Sequence, residues 1–206
     1  MSLPKRIARL SAWLLALPII LGYRLTACCG GAERAFPSLS QGIALIPGQC
    51  GIYLRYAIYR AILPNVGEDV VVGFGTIFSH PSVTLGNLVY IGAYGVIGSV
   101  SIEDDVLIGS RVSILNGNRQ HGIARLDIPI REQPGEWPRI RIGRDSWIGD
   151  GATVMVDIGE QSVVGAASVV TRPLPPRSIA VGNPARIIRE RIATPPADGE
   201  TPRPPR

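Results

Sequence analysis

Leu85-Gly86-Asn87-Leu88-Val89-Tyr90-Ile91-Gly92-Ala93-Tyr94-Gly95-Val96-Ile97-Gly98 sets the rhythm of this chain: an aliphatic residue every sixth position, with glycine directly behind it. The unit extends in both directions. Upstream stand Val66-Gly67, Val72-Gly73 and Phe78; downstream, with one residue dropped, come Ile102-Glu103, Ile108-Gly109 and Ile114. It resumes at Ile142-Gly143, Ile148-Gly149 and Val154, and again at Ile158-Gly159, Val164-Gly165 and Val170. A six-residue step fits neither the 3.6-residue period of an amphipathic helix nor the two-residue alternation of a lone strand. It fits short parallel strands wound into a coil whose successive turns stack. The aliphatic residue then faces the core, and the small residue behind it marks where a Cβ would crowd the turning backbone. The fifth position of each unit is small or β-branched (Val70, Thr76, Gly95, Ser146, Ser168), which suits a narrow interior.

A chain of 206 residues has room for one such domain with appendages. The formal charge is +5, from 21 Lys and Arg against 16 Asp and Glu, with much of the excess in the first two dozen residues and after Arg186. That balance admits nucleic acid, an anionic membrane or an anionic cofactor. The interleaving of aromatic and basic residues expected of a nucleic-acid surface is missing, so nucleic acid is set aside. The three cysteines, Cys28, Cys29 and Cys50, all precede the coil. An odd number with one adjacent pair does not read as a disulfide framework.

Residues 1–64 read as an N-terminal apolar helical segment. Leu10 to Leu21 is an apolar run behind Lys5, Arg6 and Arg9. A membrane-spanning helix needs about 20 apolar residues; Pro18 interrupts this run and Arg24 cuts it short. Leu25-Thr26-Ala27-Cys28 looks like a processing box, but Arg24 sits where a signal's apolar core should continue. A helix lying at the membrane interface and a helix packed on its own domain or on another subunit also remain open. The working expectation is a cytoplasmic protein, peripheral at the inner face of the cell membrane. Further on, Gly51 to Leu63 patterns as a helix with Ile52, Tyr56, Tyr59 and Leu63 on one side and Arg55 and Arg60 elsewhere, ended by Pro64. Such helices would cover the open strand edges of the first turn or touch lipid. The coil domain is expected over residues 65–189 with an inserted loop at 115–141, and the proline-dense residues 190–206 are expected to be a disordered tail.

The insertion is polar, carrying Asn116, Asn118, Arg119, Gln120, His121 and Glu136, and is stiffened by Pro129, Pro134 and Pro138. A long loop leaving a stacked coil usually has a function. One of the chain's two histidines, His121, lies on it.

Asn116-Gly117-Asn118-Arg119-Gln120-His121-Gly122 is followed in order by Ile142-Gly143-Arg144-Asp145-Ser146-Trp147-Ile148-Gly149. Val164-Gly165-Ala166-Ala167-Ser168-Val169-Val170-Thr171 and Val181-Gly182-Asn183-Pro184-Ala185-Arg186 come after them. With these motifs the chain resembles the hexapeptide-repeat acyltransferases, in the galactoside/maltose and polysaccharide O-acetyltransferase branch. The resemblance implies a mainly β fold, a left-handed parallel β-helix behind an N-terminal helical segment. It also implies a homotrimer with active sites between neighbouring coils, and acetyl-CoA as donor.

Carried across by resemblance, His121 is the general base, and the chemistry agrees. A sugar hydroxyl is a poor nucleophile at neutral pH, and an imidazole with an ordinary pKa near 6.5 can take its proton. The resemblance places Trp147 beside the pantetheine arm, the backbone of Gly149 and Ala166 in pairing with its amides, and Thr171 and Arg172 near the CoA. Arg186 and Arg189 would face its phosphates. His80, Asn116 and Asn118 fall on the acceptor side, His80 standing where galactoside-type enzymes keep an asparagine. The tightened turn between Val154 and Ile158, and His80 itself, put the acceptor in doubt rather than the reaction. A sugar or glycan hydroxyl is the first expectation; a small non-sugar acceptor such as serine or a xenobiotic, and a non-catalytic scaffold, are the alternatives. No metal is expected, because a zinc site would need three clustered ligands that two histidines per chain do not supply.

Overall fold

The computed structural model describes residues 3–192. Three helices lead: α1 (Leu3–Gly30), α2 (Ala32–Ala44) and α3 (Gly48–Ile62). The chain then winds into a parallel β-helix. Its first turn is β1 (Asn65–Val66), β2 (Val71–Val72) and β3 (Ile77–Phe78), its second β4 (Thr84–Leu85), β5 (Tyr90–Ile91) and β6 (Val96–Ile97). The third is β7 (Val100–Ile102), β8 (Leu107–Ile108) and β9 (Ser113–Ile114). After the inserted loop, β10 (Ile140–Ile142), β11 (Trp147–Ile148) and β12 (Thr153–Val154) make the fourth turn. Ile158, β13 (Val163–Val164) and β14 (Val169–Val170) make the fifth. Leu174 and β15 (Ser178–Val181) begin a sixth, onto which β16 (Arg186–Glu190) folds back antiparallel.

Corresponding strands stack into three faces: β1-β4-β7-β10, β2-β5-β8-β11-β13-β15-β16, and β3-β6-β9-β12-β14. The repeating aliphatic residues align in columns. On the second face Val72, Ile91, Ile108, Ile148, Val164 and Ala180 are in register and essentially without solvent exposure. Each large aliphatic in such a column contributes roughly 1.5–3 kcal/mol of burial free energy. The fifth-position residues, among them Thr76, Ser146 and Ser168, are buried at the corners as expected. Thr76 and Ser146 give their hydroxyl hydrogens to Gly92 and Gly159 carbonyls, which satisfies these buried polar groups.

The glycines behind the aliphatic residues are required for a reason the sequence only half conveys. Their φ is mostly ordinary; what excludes a side chain is the next turn of the coil. A Cβ on Gly149 would stand 2.5 Å from the Ala166 amide nitrogen. The left-handed conformation falls elsewhere, on the residue before each fifth position, including Leu88 (φ 57°), Asp105 (φ 60°) and Gln161 (φ 59°). Such a conformation costs a non-glycine residue roughly 1–2 kcal/mol. It is offset here by a hydrogen bond to the preceding turn: Leu88 to Glu68, Asp105 to Asn87 and Gln161 to Arg144, each amide donating at 2.7–2.9 Å.

The helical segment caps the first turn. Three helices form rather than the pair the sequence implied. The Phe78 amide donates to Ser40 Oγ (2.8 Å), the Gly75 amide to Ala44 O (2.9 Å), and Arg60 donates to the Val66 and Gly67 carbonyls (3.0 Å each). The exposed strand edge is thereby satisfied. Arg55, expected away from the apolar side, is wholly buried. Its Nε donates to Val72 O (2.9 Å) and Nη1 to Ile43 O (3.2 Å) and Ile46 O (2.7 Å). The guanidinium thus answers carbonyls at the end of α2, where a cation is also favoured by the helix dipole. Burial lowers its pKa. Beside it Tyr59 packs on Phe78 (ring centroids 4.6 Å apart) and shares a 3.0 Å hydrogen bond with Ser40; burial pushes its phenol up to about 12.

At the other end the parallel coil stops at Val181, and β16 closes it by reversing direction. Order continues past the expected boundary at Arg189: Arg191 donates to the Asp145 carboxylate (3.1 Å) and to Gln161 O (3.3 Å). The rest of the expected tail, residues 193–206, lies outside the described residues. The inserted loop ends at Arg139, one residue before β10, two residues short of the expected 141.

Candidate functional site

The loop leaves the coil at Asn116, which is 5% exposed and tightly held. Its Oδ1 accepts the Ser99 amide at 2.6 Å. That obligatory donor fixes the orientation of the carboxamide, so its NH2 group faces His80 Nε2, 2.8 Å away. His80 Nε2 is therefore the acceptor and its proton sits on Nδ1, toward Glu33 at 3.5 Å. Glu33 belongs to α2, so this chain of contacts links the helical cap to the root of the loop. The Nε2 lone pair is thus taken by the asparagine of the loop root, while Nδ1 stands at ion-pair distance from the exposed Glu33 carboxylate.

Within the loop, Gln133 is almost fully buried and does the work of a small core. Its Nε2 donates to Arg125 O (2.7 Å) and Ile128 O (3.3 Å), while its Oε1 accepts the Arg125 amide (3.1 Å). The Glu136 amide donates to Arg119 O at 2.8 Å, bringing the two ends of the loop together. His121 is exposed on this frame, edge-on to Trp137 (centroids 5.6 Å, planes at 85°). It borders a cavity of about 370 Å³ lined by Asn118, Arg119, Gly122, Pro134 and Glu136. Among the described residues, no side chain hydrogen-bonds either ring nitrogen of His121. Asn118 Nδ2 donates to Thr171 O at 3.4 Å and so lays the loop against the fifth turn, next to Arg172.

The remaining expected cofactor residues lie on the seven-stranded face. Trp147, Val163, Ile179 and Arg189 are in register across four neighbouring strands, and Trp147 is 54% exposed. At about 4.8 Å per strand, Arg189 stands roughly 14 Å from Trp147. Arg186 is opposite Val181 on the same hairpin, with Nη1 turned to Ala185 O (3.1 Å). Ala166 sits exposed at the adjoining corner, and among the described residues neither its amide nor its carbonyl has a backbone partner. An extended arm carrying amides has there an unpaired backbone to bond, an indole to lie against and arginines along the same face; the residues fit CoA. At Gly149 the amide is already committed to the interstrand ladder, donating to Val164 O (2.8 Å), and the carbonyl accepts the Ala152 amide (3.2 Å) across the turn.

The structure thus groups the expected residues in three places: His80 with Asn116, Asn118 with Thr171 and Arg172, and Trp147 with Arg186 and Arg189. No contact within the chain joins His121 to Trp147 among the described residues. Glu33, Ser99, Gln133 and Trp137 were not singled out from the sequence. Trp137, a lone indole in a polar insertion, was the one with a visible signal.

Residues 99–123 and 139–172 match the family profile described as the hexapeptide repeat of succinyl-transferase. The chain is 33% identical over 147 residues to the galactoside O-acetyltransferase of Escherichia coli K12, an alignment that covers 66% of this chain and 68% of that protein. A galactoside acetyltransferase in complex with coenzyme A superposes with a TM-score of 0.67 at 27% identity, over 78% of this chain and 81% of that one. A hexapeptide-repeat acetyltransferase of Vibrio cholerae O1 biovar eltor in complex with acetyl coenzyme A gives 0.64 at 26% identity, over 81% and 92%. With this likeness spanning the coil that frames the site, the chain belongs to the galactoside/maltose O-acetyltransferase family and is an acetyltransferase that uses acetyl-CoA.

Proposed function

We propose that this enzyme transfers acetyl to a hydroxyl of a sugar or glycan and does so as a homotrimer, with His121 as general base. The observation that carries the reading is His121 itself: an exposed imidazole on a braced loop, beside a cavity, with both ring nitrogens unclaimed among the described residues. Acetyl-CoA supplies an acyl group activated as a thioester. His121 accepts the acceptor's hydroxyl proton as that oxygen bonds to the acetyl carbon. As the carbon–sulfur bond breaks, the imidazolium returns the proton to the departing sulfur. Ala166 and Trp147 would hold the donor's arm, and Arg186, Arg189 and Arg172 its charged end.

Support for assembly with a second copy comes from the contrast between two of the coil's faces. Outward positions of the first face are polar (Asn65, Thr84, Ser101, Arg141). Those of the second are apolar (Val71, Tyr90, Leu107, Trp147, Val163), and Tyr90, Leu107 and Trp147 are each about half exposed. The loop adds Ile123 and Leu126, at 75% and 98% exposure. Surfaces of this kind on a single chain call for a partner, and a seam between protomers would unite a loop histidine with a neighbour's indole-bearing face. His80 and Asn116 then act by positioning the loop root rather than by touching the acceptor.

The test is acetyl transfer from acetyl-CoA to a panel of sugars by wild type and His121→Ala. A loss of about 10²–10⁴-fold in kcat, with CoA binding retained, is expected. Full transfer by the variant removes His121 as base, and turnover confined to amines or amino acids removes the sugar acceptor.

A further inference from the structure

We propose that the helical cap docks the enzyme on an anionic lipid bilayer, with α1 lying flat and its outer leucine row facing the acyl chains. α1 is apolar on two opposite sides. One side is used: Ala12, Ala16, Ile20 and Tyr23 are buried where α1 packs on α2 and α3. On the other, Leu10, Leu14, Leu17, Leu21 and Leu25 recur at three- and four-residue steps and so form a single stripe. They are 55% to 70% exposed, and none of the described residues covers them. The stripe holds no polar residue that would match a protein partner.

Charge decides what the stripe meets. Residues 1–64 contain seven Lys and Arg against a single acid, Glu33, while the whole chain carries a formal +5; the coil and tail are close to neutral. Arg55 is buried, Arg9 is paired with Asp69 and Arg60 is bonded to the first turn, but Arg6, Arg24 and Arg34 are exposed, Arg24 with one 3.4 Å contact to Ala61 O. Arg6 and Arg24 are separated by five helical turns, so both project along the same edge of the stripe, one near each end. Leucines below and guanidiniums reaching up to phosphates is the arrangement that holds a helix in the interface. A second copy seated on the same stripe would bring two strongly cationic caps together. Arg9–Gly30 has the length and mean hydropathy (1.6) of a membrane-crossing helix, but crossing would strip Ala16 and Tyr23 from their packing on the cap. The inference does not depend on the acceptor or on the role of His121.

The experiment is co-sedimentation of the full chain with vesicles of phosphatidylglycerol and phosphatidylcholine, and with phosphatidylcholine alone. Expected are preferential binding to the anionic vesicles, weakening with salt, and at least a tenfold loss of partitioning in a Leu14→Ser/Leu17→Ser/Leu21→Ser variant. That variant should keep the wild-type melting transition, assembly size by light scattering, and transfer to a soluble acceptor, since these side chains lie outside the packed face. Equal binding to both vesicle types, unchanged binding by the variant, a smaller assembly of the variant, or resistance of the bound protein to alkaline extraction would each overturn the proposal.

Discussion

Ile108 in the coil and Gln133 in the inserted loop are both buried, yet they are held in different ways. Ile108 sits between Ile91 and Ile148 in a column where every turn offers a similar aliphatic. Gln133 is fixed by three hydrogen bonds to backbone groups of Arg125 and Ile128 that recur nowhere else. Stability in the coil is therefore shared among repeated, non-directional contacts, and its outward positions are free to vary. The loop depends on a few directional bonds, and this is where the proposed general base, His121, stands. The contrast suggests that coil positions govern folding and loop positions govern rate.

That separation can be tested at four sites. The largest effect is expected at His121→Ala: a fall of about 10²–10⁴-fold in kcat, equivalent to roughly 3–5 kcal/mol of transition-state free energy, with an unchanged melting temperature. A matching loss of stability would break the comparison. Next comes Ile108→Ala, which should lower the free energy of unfolding by about 2–5 kcal/mol in urea titrations while leaving kcat of the folded enzyme near wild type. Third is the cap. Tyr59 is wholly buried, with its phenol raised from 10.0 to about 12, so the folded state keeps the proton longer than the unfolded chain does. Stability should be fully present below pH 10 and decline by about 3 kcal/mol as the pH climbs from 10 to 12. Tyr59→Phe should flatten that decline, as read from urea midpoints across the range. The smallest effect is Asn116→Ala, which removes the bonds to Ser99 and His80 at the junction of the two regions. It should cost about 1–2 kcal/mol of stability and lower kcat while KM for acetyl-CoA holds. A change in KM alone would place Asn116 on the donor instead.

The legible parts of the molecule were those in which one residue's job repeats. Val72, Ile91, Ile108 and Ile148 announced a column because six-residue spacing has no other economical meaning, and the break between Ile114 and Ile142 announced the loop. Arg55 was not legible: helical patterning gives an arginine to solvent, and only the folded arrangement of α2, α3 and β2 supplies carbonyls to its buried guanidinium. The pairing of His80 with Asn116 was hidden for the same reason, since its partners lie on different turns and the orientation is dictated by the Ser99 amide. Gly149 shows a subtler limit. Its small size was readable, but the commitment of its amide to Val164 belongs to the ladder and not to the motif.

By itself the sequence determined the winding, the corner positions, the place of the insertion and the residues available for chemistry, because a periodic core leaves a periodic trace. Tertiary structure alone decided which polar groups are already spent on one another, which tautomer His80 holds, and which leucines of α1 remain uncovered. Those outcomes depend on non-repeating contacts between distant segments, and no local pattern records a distance.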